Sequence, residues 1–387
     1  MIGSRHLHFR FSGSEMTLRE KLWHVSWSFV ALITLVCCVG FFTLYSAANG
    51  SMEPWADRQM MRFLIGMVVM LAVSMVDIRS WMRWAYGLYA LALVLLVAVE
   101  AHGTVGMGAQ RWIDLGFIQI QPSEIMKIAM VLALARYFHG ASYQDVGRPL
   151  FLVPALIMVF LPVGLVLKQP DLGTAMMLTL ASGAMFFLAG VRLWKFGLLI
   201  AGAGGAIPIA WRFMREYQRQ RIVTFLNPEN DPLGSGYHIL QSKIALGSGG
   251  LFGKGFMLGT QSHLNFLPEK QTDFIFTMLA EEWGMMGGVV LVSLYALILV
   301  YGYVLSMRSR SQFGRLVGLG ITSTFFLYVF INIAMVMGLV PVVGVPLPLI
   351  SYGGTAMLTL LFGFGLVMSV YIHRDVIIGR RGASDDV

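Results

Sequence analysis

Ten apolar runs, joined by short connectors except for one long loop, constrain this chain more than any other feature. They cover residues 27–45, 60–76, 84–99, 123–138, 150–167, 172–191, 196–211, 273–305, 313–338 and 355–371. A helix needs about 20 apolar residues to cross a hydrocarbon core of ~30 Å. Lipid offers backbone N–H and C=O groups no partners, so runs of this kind must be helical. The predicted fold class is therefore all-α: a polytopic membrane helix bundle of about ten transmembrane helices. At ~1.5 Å per residue the eighth run exceeds the core, so its first turns lie outside the hydrocarbon or the helix tilts. The first run is longer than a signal-peptide core and is expected to stay as an anchor, although Ser46-Ala47-Ala48 follows it.

Composition excludes the main alternatives. Of 387 residues 57% are hydrophobic and only 12% charged, with a mean hydropathy of +0.72. A soluble domain carries about 25% charge, so a soluble enzyme, a disordered chain and a secreted disulfide scaffold are ruled out. Cys37 and Cys38 are adjacent and cannot staple distant segments. The eight histidines form no ligand spacing, and no metal cage is expected. The net charge of +8 is read as membrane topology and contact with anionic lipid headgroups, with no nucleic acid involved.

Lys and Arg set the orientation. With the N-terminus in the cytoplasm, sixteen of them fall on inside segments and four on short outside loops. Both termini are thus predicted cytoplasmic. A cytoplasmic segment covers 1–26, in which 16–26 reads equally as a short interfacial helix or a basic flank. A single membrane domain follows over 27–373, then a cytoplasmic tail over 374–387, with 382–387 expected to lack order. Between the seventh and eighth runs, 212–272 forms a large extracytoplasmic loop.

Charge and irregular backbone in a membrane protein mark function. Three outer segments hold both. In 103–127, glycines and Arg111-Trp112 precede Pro122, Glu124 and Lys127. Lys127 lies inside an apolar run, where an ammonium is costly, so it should face the bundle or a polar cavity. An i,i+3 pair with Glu124 is the simpler reading, and Arg111 reads equally as a neighbour of the interfacial aromatics. In 168–174 (KQPDLGT), Asp171 either caps the sixth helix or meets a ligand. The 212–272 loop opens with Arg212, Arg215, Arg219 and Arg221 and later carries Lys243, Lys254 and Lys270, a surface suited to a polyanion or to headgroups. Its GGLFGKG stretch fails the phosphate-loop pattern, since Ser248 replaces the first glycine and Gly255 follows the lysine.

The loop ends in LPEKQTDF. If the eighth helix starts by Pro268, Glu269 and Asp273 share one face. A carboxylate at the edge of the hydrocarbon has a raised pKa and can serve as a general base, although a helix N-terminus opposes that shift and a plain N-cap role competes. Glu281 and Glu282 lie deeper in the same run.

Four ordered blocks then resemble the FtsW/RodA/SpoVE (SEDS) family. They are GAQRWIDLGFIQIQPSEIMK, KQPDLGTA, NFLPEKQTDFIF, and 332–356 with Asn332, Gly338, Pro341, Gly344 and Ser351-Tyr352-Gly353-Gly354. The wording of the first and last blocks is most similar to the elongation branch. The resemblance covers almost the whole chain. It implies a peptidoglycan glycosyltransferase that joins lipid II units into β-1,4 glycan strands during cell elongation, in the bacterial cytoplasmic membrane. Implied partners are a class B penicillin-binding protein and the elongation machinery. The family's essential loop aspartate maps onto Asp273. Substrate-binding candidates are Arg111, Glu124, Lys127, Asp171, Lys243, Glu269, Lys270 and Ser351. No cofactor is firmly implied, and a divalent cation (Mg2+ or Mn2+) travelling with the substrate pyrophosphate is compatible. The chemistry agrees: a diphosphate leaves without a protonated acid, so one carboxylate plus cations suffices, unlike the carboxyl pair of glycosidases. Two rival readings remain at this point, a lipid II flippase and a non-catalytic scaffold for a penicillin-binding protein.

Overall fold

The computed structural model describes residues 16–379 except 107–108, 115–118, 215–218, 220–222, 226, 228–234, 265 and 267–268. The segments 1–15 and 382–387, together with Arg215, Arg221 and Pro268, lie outside the described residues.

Each of the ten apolar runs coincides with a helix. After the short α1 (Leu18–Trp23) come α2 (Trp27–Ala47), α3 (Ala56–Met75), α4 (Ile78–His102), α5 (Pro122–Phe138), α6 (Tyr143–Gly147), α7 (Pro149–Lys168), α8 (Leu172–Leu188) and α9 (Leu193–Phe213). Then follow α10 (Ser235–Ser248), α11 (Thr260–His263), α12 (Ile275–Met307), α13 (Gln312–Val336) and α14 (Gly354–Ile372). Among the described residues seven helices are long and apolar enough to cross a bilayer: α2, α3, α4, α7, α12, α13 and α14. The chain is a multi-pass membrane protein. In the 16–26 segment α1 does form, closed by a Thr17–Glu20 capping box, with Leu18, Leu22 and Trp23 exposed.

The bundle is organised around α5. Of its 17 residues only Ile125, Arg136 and Tyr137 are not buried, and α4, α7, α8, α13 and α14 all contact it. At ~1.5 Å per residue it is about 25 Å long. Protein, not lipid, surrounds it, which is why it can carry Glu124 and Lys127. α14 lies along α3, where Gly66 and Gly365 allow close approach: a Cβ at Gly66 would stand 2.4 Å from Leu361, and one at Gly365 2.7 Å from the Met70 carbonyl.

Two features depart from the sequence expectations. The eighth run is not one continuous rod. It breaks at Gly284 (φ 67°, ψ −165°) into 275–283 and a continuing helix to Met307. In addition, the 103–120 block forms a small antiparallel sheet, β1 (Thr104–Gly106), β2 (Ala109–Asp114) and β3 (Gln119–Ile120), ordered β1-β2-β3 with Val105 opposite Gln110 and Ile113 opposite Ile120. It projects from the end of α4 and feeds directly into Pro122 at the first position of α5.

Candidate active site

The sequence places Asp273 on a helix sharing a face with Glu269. The structure corrects this: residues 269–274 form a turn, Glu269 has φ +53°, and α12 begins only at Ile275 with Phe274 as its N-cap. The N-cap position thus falls to Phe274 and not to Asp273. The turn persists because its backbone is held from outside. Three consecutive carbonyls are pinned: Gln271 O accepts from Tyr352 N (2.8 Å), Thr272 O from Ser351 Oγ (2.5 Å), and Asp273 O from Asn332 Nδ2 (2.9 Å). Within the turn, Thr272 Oγ1 and Gln271 Nε2 donate to Glu269 Oε2 (3.2 and 3.3 Å). Glu269 thus shapes the turn that carries Asp273.

The donors are themselves fixed. Ser351 Oγ accepts from Leu347 N (2.8 Å), and Ser351 O accepts from Gln59 Nε2 (2.9 Å). Asn332 Nδ2 also donates to Val345 O (2.7 Å). Gln59 and Asn332 are fully buried, so each bond is made away from competing water. Ser351 is buried and bonded on both sides, and the structure places it under the turn.

The connection between α13 and α14 brings the other candidates together. A Cβ at Gly344 (φ +72°) would lie 3.5 Å from Asp273 Oδ2, so bare backbone faces the half-buried carboxylate. A Cβ at Gly338 (φ +72°) would lie 2.4 Å from Lys243 Cε. One at Gly173 would lie 2.1 Å from Val343 O, which seats the Asp171 turn against the same connection. Asp171 is the N-cap of α8, accepting from Thr174 N (3.1 Å) and Thr174 Oγ1 (2.8 Å). It also faces Arg111 Nε at 3.6 Å, while Arg111 Nη2 donates to Pro170 O (2.7 Å). Capping and charge pairing coexist in this one side chain.

Glu124 and Lys127 form a buried pair one turn apart, Nζ to Oε1 2.6 Å. Tyr328, which the sequence reading missed, donates to Glu124 (3.2 Å) and lays its ring 4.5 Å from the ammonium. The pair opens onto a pocket bounded by 346–349, Ser351 and Thr324, and Ser351 also anchors the turn. Lys243 is exposed on α10, and Lys270 is buried, which pushes its ammonium pKa down. α10 is fastened to α12 and α13 by Ser242 Oγ, 2.8 Å from both Thr277 Oγ1 and Val336 O.

Gln59 and Tyr328 were not recognised from sequence. The available signal was weak, since each is one of several polar side chains on its helix. The GGLFGKG segment cradles no anion: Lys254 Nζ bonds Glu281 Oε1 (2.8 Å), and Lys254 N and Gly255 N donate to the carbonyls of Glu281 and Glu282. Among the described residues no three His, Cys, Asp or Glu side chains converge as metal ligands.

A pocket holding a buried Glu124–Lys127 pair, next to a rigidly held acid in a polytopic helix bundle, has the make-up of a membrane enzyme's site. A family model described as cell cycle protein, FtsW/RodA/SpoVE, matches residues 23–376, and the chain belongs to that family. It is 45% identical over 349 residues to peptidoglycan glycosyltransferase MrdB of Escherichia coli K12, covering 89% of this chain and 93% of the relative. It is 36% identical over 355 residues to stage V sporulation protein E of Bacillus subtilis 168, covering 88% and 95%. Among solved structures it is similar to a chain of a peptidoglycan synthase complex (TM-score 0.79, 30% identity, 91% of this chain and 98% of that one). It is also similar to the rod shape determining protein RodA of Thermus thermophilus (TM-score 0.67, 29% identity, 90% and 97%).

Proposed function

We propose that this chain is a peptidoglycan glycosyltransferase that polymerises lipid II in the bacterial cytoplasmic membrane during cell elongation, with Asp273 as general base. The observation that carries this reading is the half-buried Asp273 carboxylate on a turn whose three successive carbonyls are pinned. A base must be held where the proton leaves.

In the proposed reaction Asp273 takes the proton of the acceptor's GlcNAc 4-hydroxyl. That oxygen attacks the anomeric carbon of the lipid-linked MurNAc. The C–O bond to the pyrophosphate breaks, the anomeric centre inverts to give a β-1,4 link, and undecaprenyl pyrophosphate leaves with the bonding electrons. The leaving charge needs fixed cations. Lys243, exposed over Gly338, is the candidate for direct contact with the diphosphate. Arg111, oriented by Asp171, and Lys127, oriented by Glu124, supply the positive field around it. Glu269, Lys270 and Ser351 act on substrate through the Asp273 turn. A divalent cation would arrive on the pyrophosphate itself and would neutralise part of its charge. A class B penicillin-binding protein is the partner that crosslinks the product.

The test is polymerisation of labelled lipid II by the purified protein with its penicillin-binding partner. Asp273→Asn is expected to lower the rate by about 10²–10⁴-fold with the unfolding midpoint unchanged. Polymer made at the wild-type rate would remove the base assignment. Lipid II scrambling without polymer from the wild-type protein would favour a flippase.

A further inference from the structure

The segment 249–258 belongs to the large outer loop, yet it is fused to the break in α12. A Cβ on Gly249 would meet Ala280 O at 2.2 Å, one on Gly253 would meet Glu282 O at 2.1 Å, and one on Gly284 would meet Gly253 N at 2.3 Å. Only glycines allow two backbones this close. The contact exchanges hydrogen bonds. Lys254 N and Gly255 N donate to the carbonyls of Glu281 and Glu282 (both 3.0 Å), while Met285 N and Met286 N donate to the carbonyls of Gly250 (2.9 Å) and Leu251 (3.1 Å). The groups freed by breaking the helix are therefore satisfied within the protein. That is the condition under which non-helical backbone tolerates membrane depth.

The charges are also turned inward. Lys254 is the sole Lys, Arg, Asp or Glu between 249 and 266, and its ammonium bonds the buried Glu281. What faces outward is apolar: Leu251, Phe252 (80% exposed), Phe256 and Leu258 (64%). This surface continues without a charged residue into Trp283, Met285, Met286, Val289 and Val290, the exposed side of α12, with Phe256 edge-on to Trp283. From Met285 to Met307 the helix is ~34 Å long, enough by itself to cross a ~30 Å core. The break and the loop fused to it then stand at the outer edge of the hydrocarbon.

We infer that residues 251–258 are a wedge inserted into the outer leaflet, occupied by lipid acyl chains and not by a protein partner. The surface is continuous with the lipid-facing side of α12, and an apolar patch of this kind left in water is unusual. The wedge holds the loop that carries α10 and Lys243 at a set height above the bilayer.

Single cysteines for spin labels are introduced at 252 and 258 in a Cys37→Ala/Cys38→Ala background, in proteoliposomes without any partner. Val290→Cys (57% exposed) is the lipid reference, and Lys168→Cys (68%) the aqueous reference. Oxygen and nickel-chelate collision rates give depth, and an unchanged thermal unfolding midpoint and size-exclusion profile confirm that each labelled protein is folded. Labels at 252 and 258 are expected to follow Val290, with oxygen accessibility exceeding nickel accessibility by several-fold. Labels that follow Lys168 would overturn the inference. If those labels then become shielded on adding a penicillin-binding protein, the patch is a protein-docking face. As a second readout, an environment-sensitive fluorophore at 252 should be quenched by bromines near the top of the acyl chains and not by bromines at the bilayer centre.

Discussion

Methionine in place of Lys127 keeps most of the side chain's length and deletes its charge. Glu124 is then stranded in a site 7% exposed, having lost its 2.6 Å partner. Removing one member of a buried pair costs about 3–5 kcal/mol, or roughly two to three and a half decades in the folding equilibrium at ~1.4 kcal/mol per decade. Glu124→Gln strands the ammonium and should cost a similar amount, eased by the Tyr328 ring. The double variant Glu124→Gln/Lys127→Met leaves no uncompensated charge and should recover most of that stability, because neutral replacement of a buried pair is often close to neutral overall. Thermal unfolding followed by size exclusion reads this pattern of two weak singles and a restored double. Polymerisation then separates the roles. If Lys127 supplies field to the leaving diphosphate, the double variant folds and loses at least about tenfold in rate; if the pair is purely structural, it polymerises normally. A Lys127→Met protein as stable as wild type would refute the buried-charge reasoning altogether.

Three further outcomes are expected. Asn332→Ala removes the donor to Asp273 O and Val345 O, and should lower stability by about 2–4 kcal/mol and the polymerisation rate with little change in lipid II KM, read by initial rates. Gly284→Ala puts a Cβ against backbone at 2.3 Å with φ at +67° and should cost at least about 3 kcal/mol, whereas Gly197→Ala, which meets nothing within 4 Å, should be neutral in the same melting assay. Burial pushes the His373 imidazole below its ordinary value of 6.5. The unfolded chain then takes up the proton first, so stability is lost as pH falls from about 6.5 towards the lowered value and is full above it. His373→Gln should flatten that acid limb of the unfolding midpoint.

The helices were readable because lipid forces long unbroken apolar runs, a demand local enough to see in one dimension. Asp273 was readable as an acid opening such a run within a family motif. Its setting was not. LPEKQTDF has the look of a helix start, and the donors that keep 269–274 a turn come from Ser351, Tyr352 and Asn332, far away in the chain. The break at Gly284 was hidden for the same reason. A single glycine in a helical pattern is ordinarily tolerated, and what opens the helix here is backbone from 249–255. The Glu124–Lys127 spacing foretold a pair, but not the ring and hydroxyl of Tyr328, which α13 brings from another part of the chain.

The anchors of the Asp273 turn have a consequence for biosynthesis. Ser351 binds Thr272 O across 79 positions of sequence, and Tyr352 binds Gln271 O beside it. When a ribosome has just released Asp273, the acid is translated but unplaced. It acquires its anchors only when the chain through Tyr352 has been made. A nascent or C-terminally truncated chain ending before 351 therefore lacks two of the three bonds that hold the Asp273 turn.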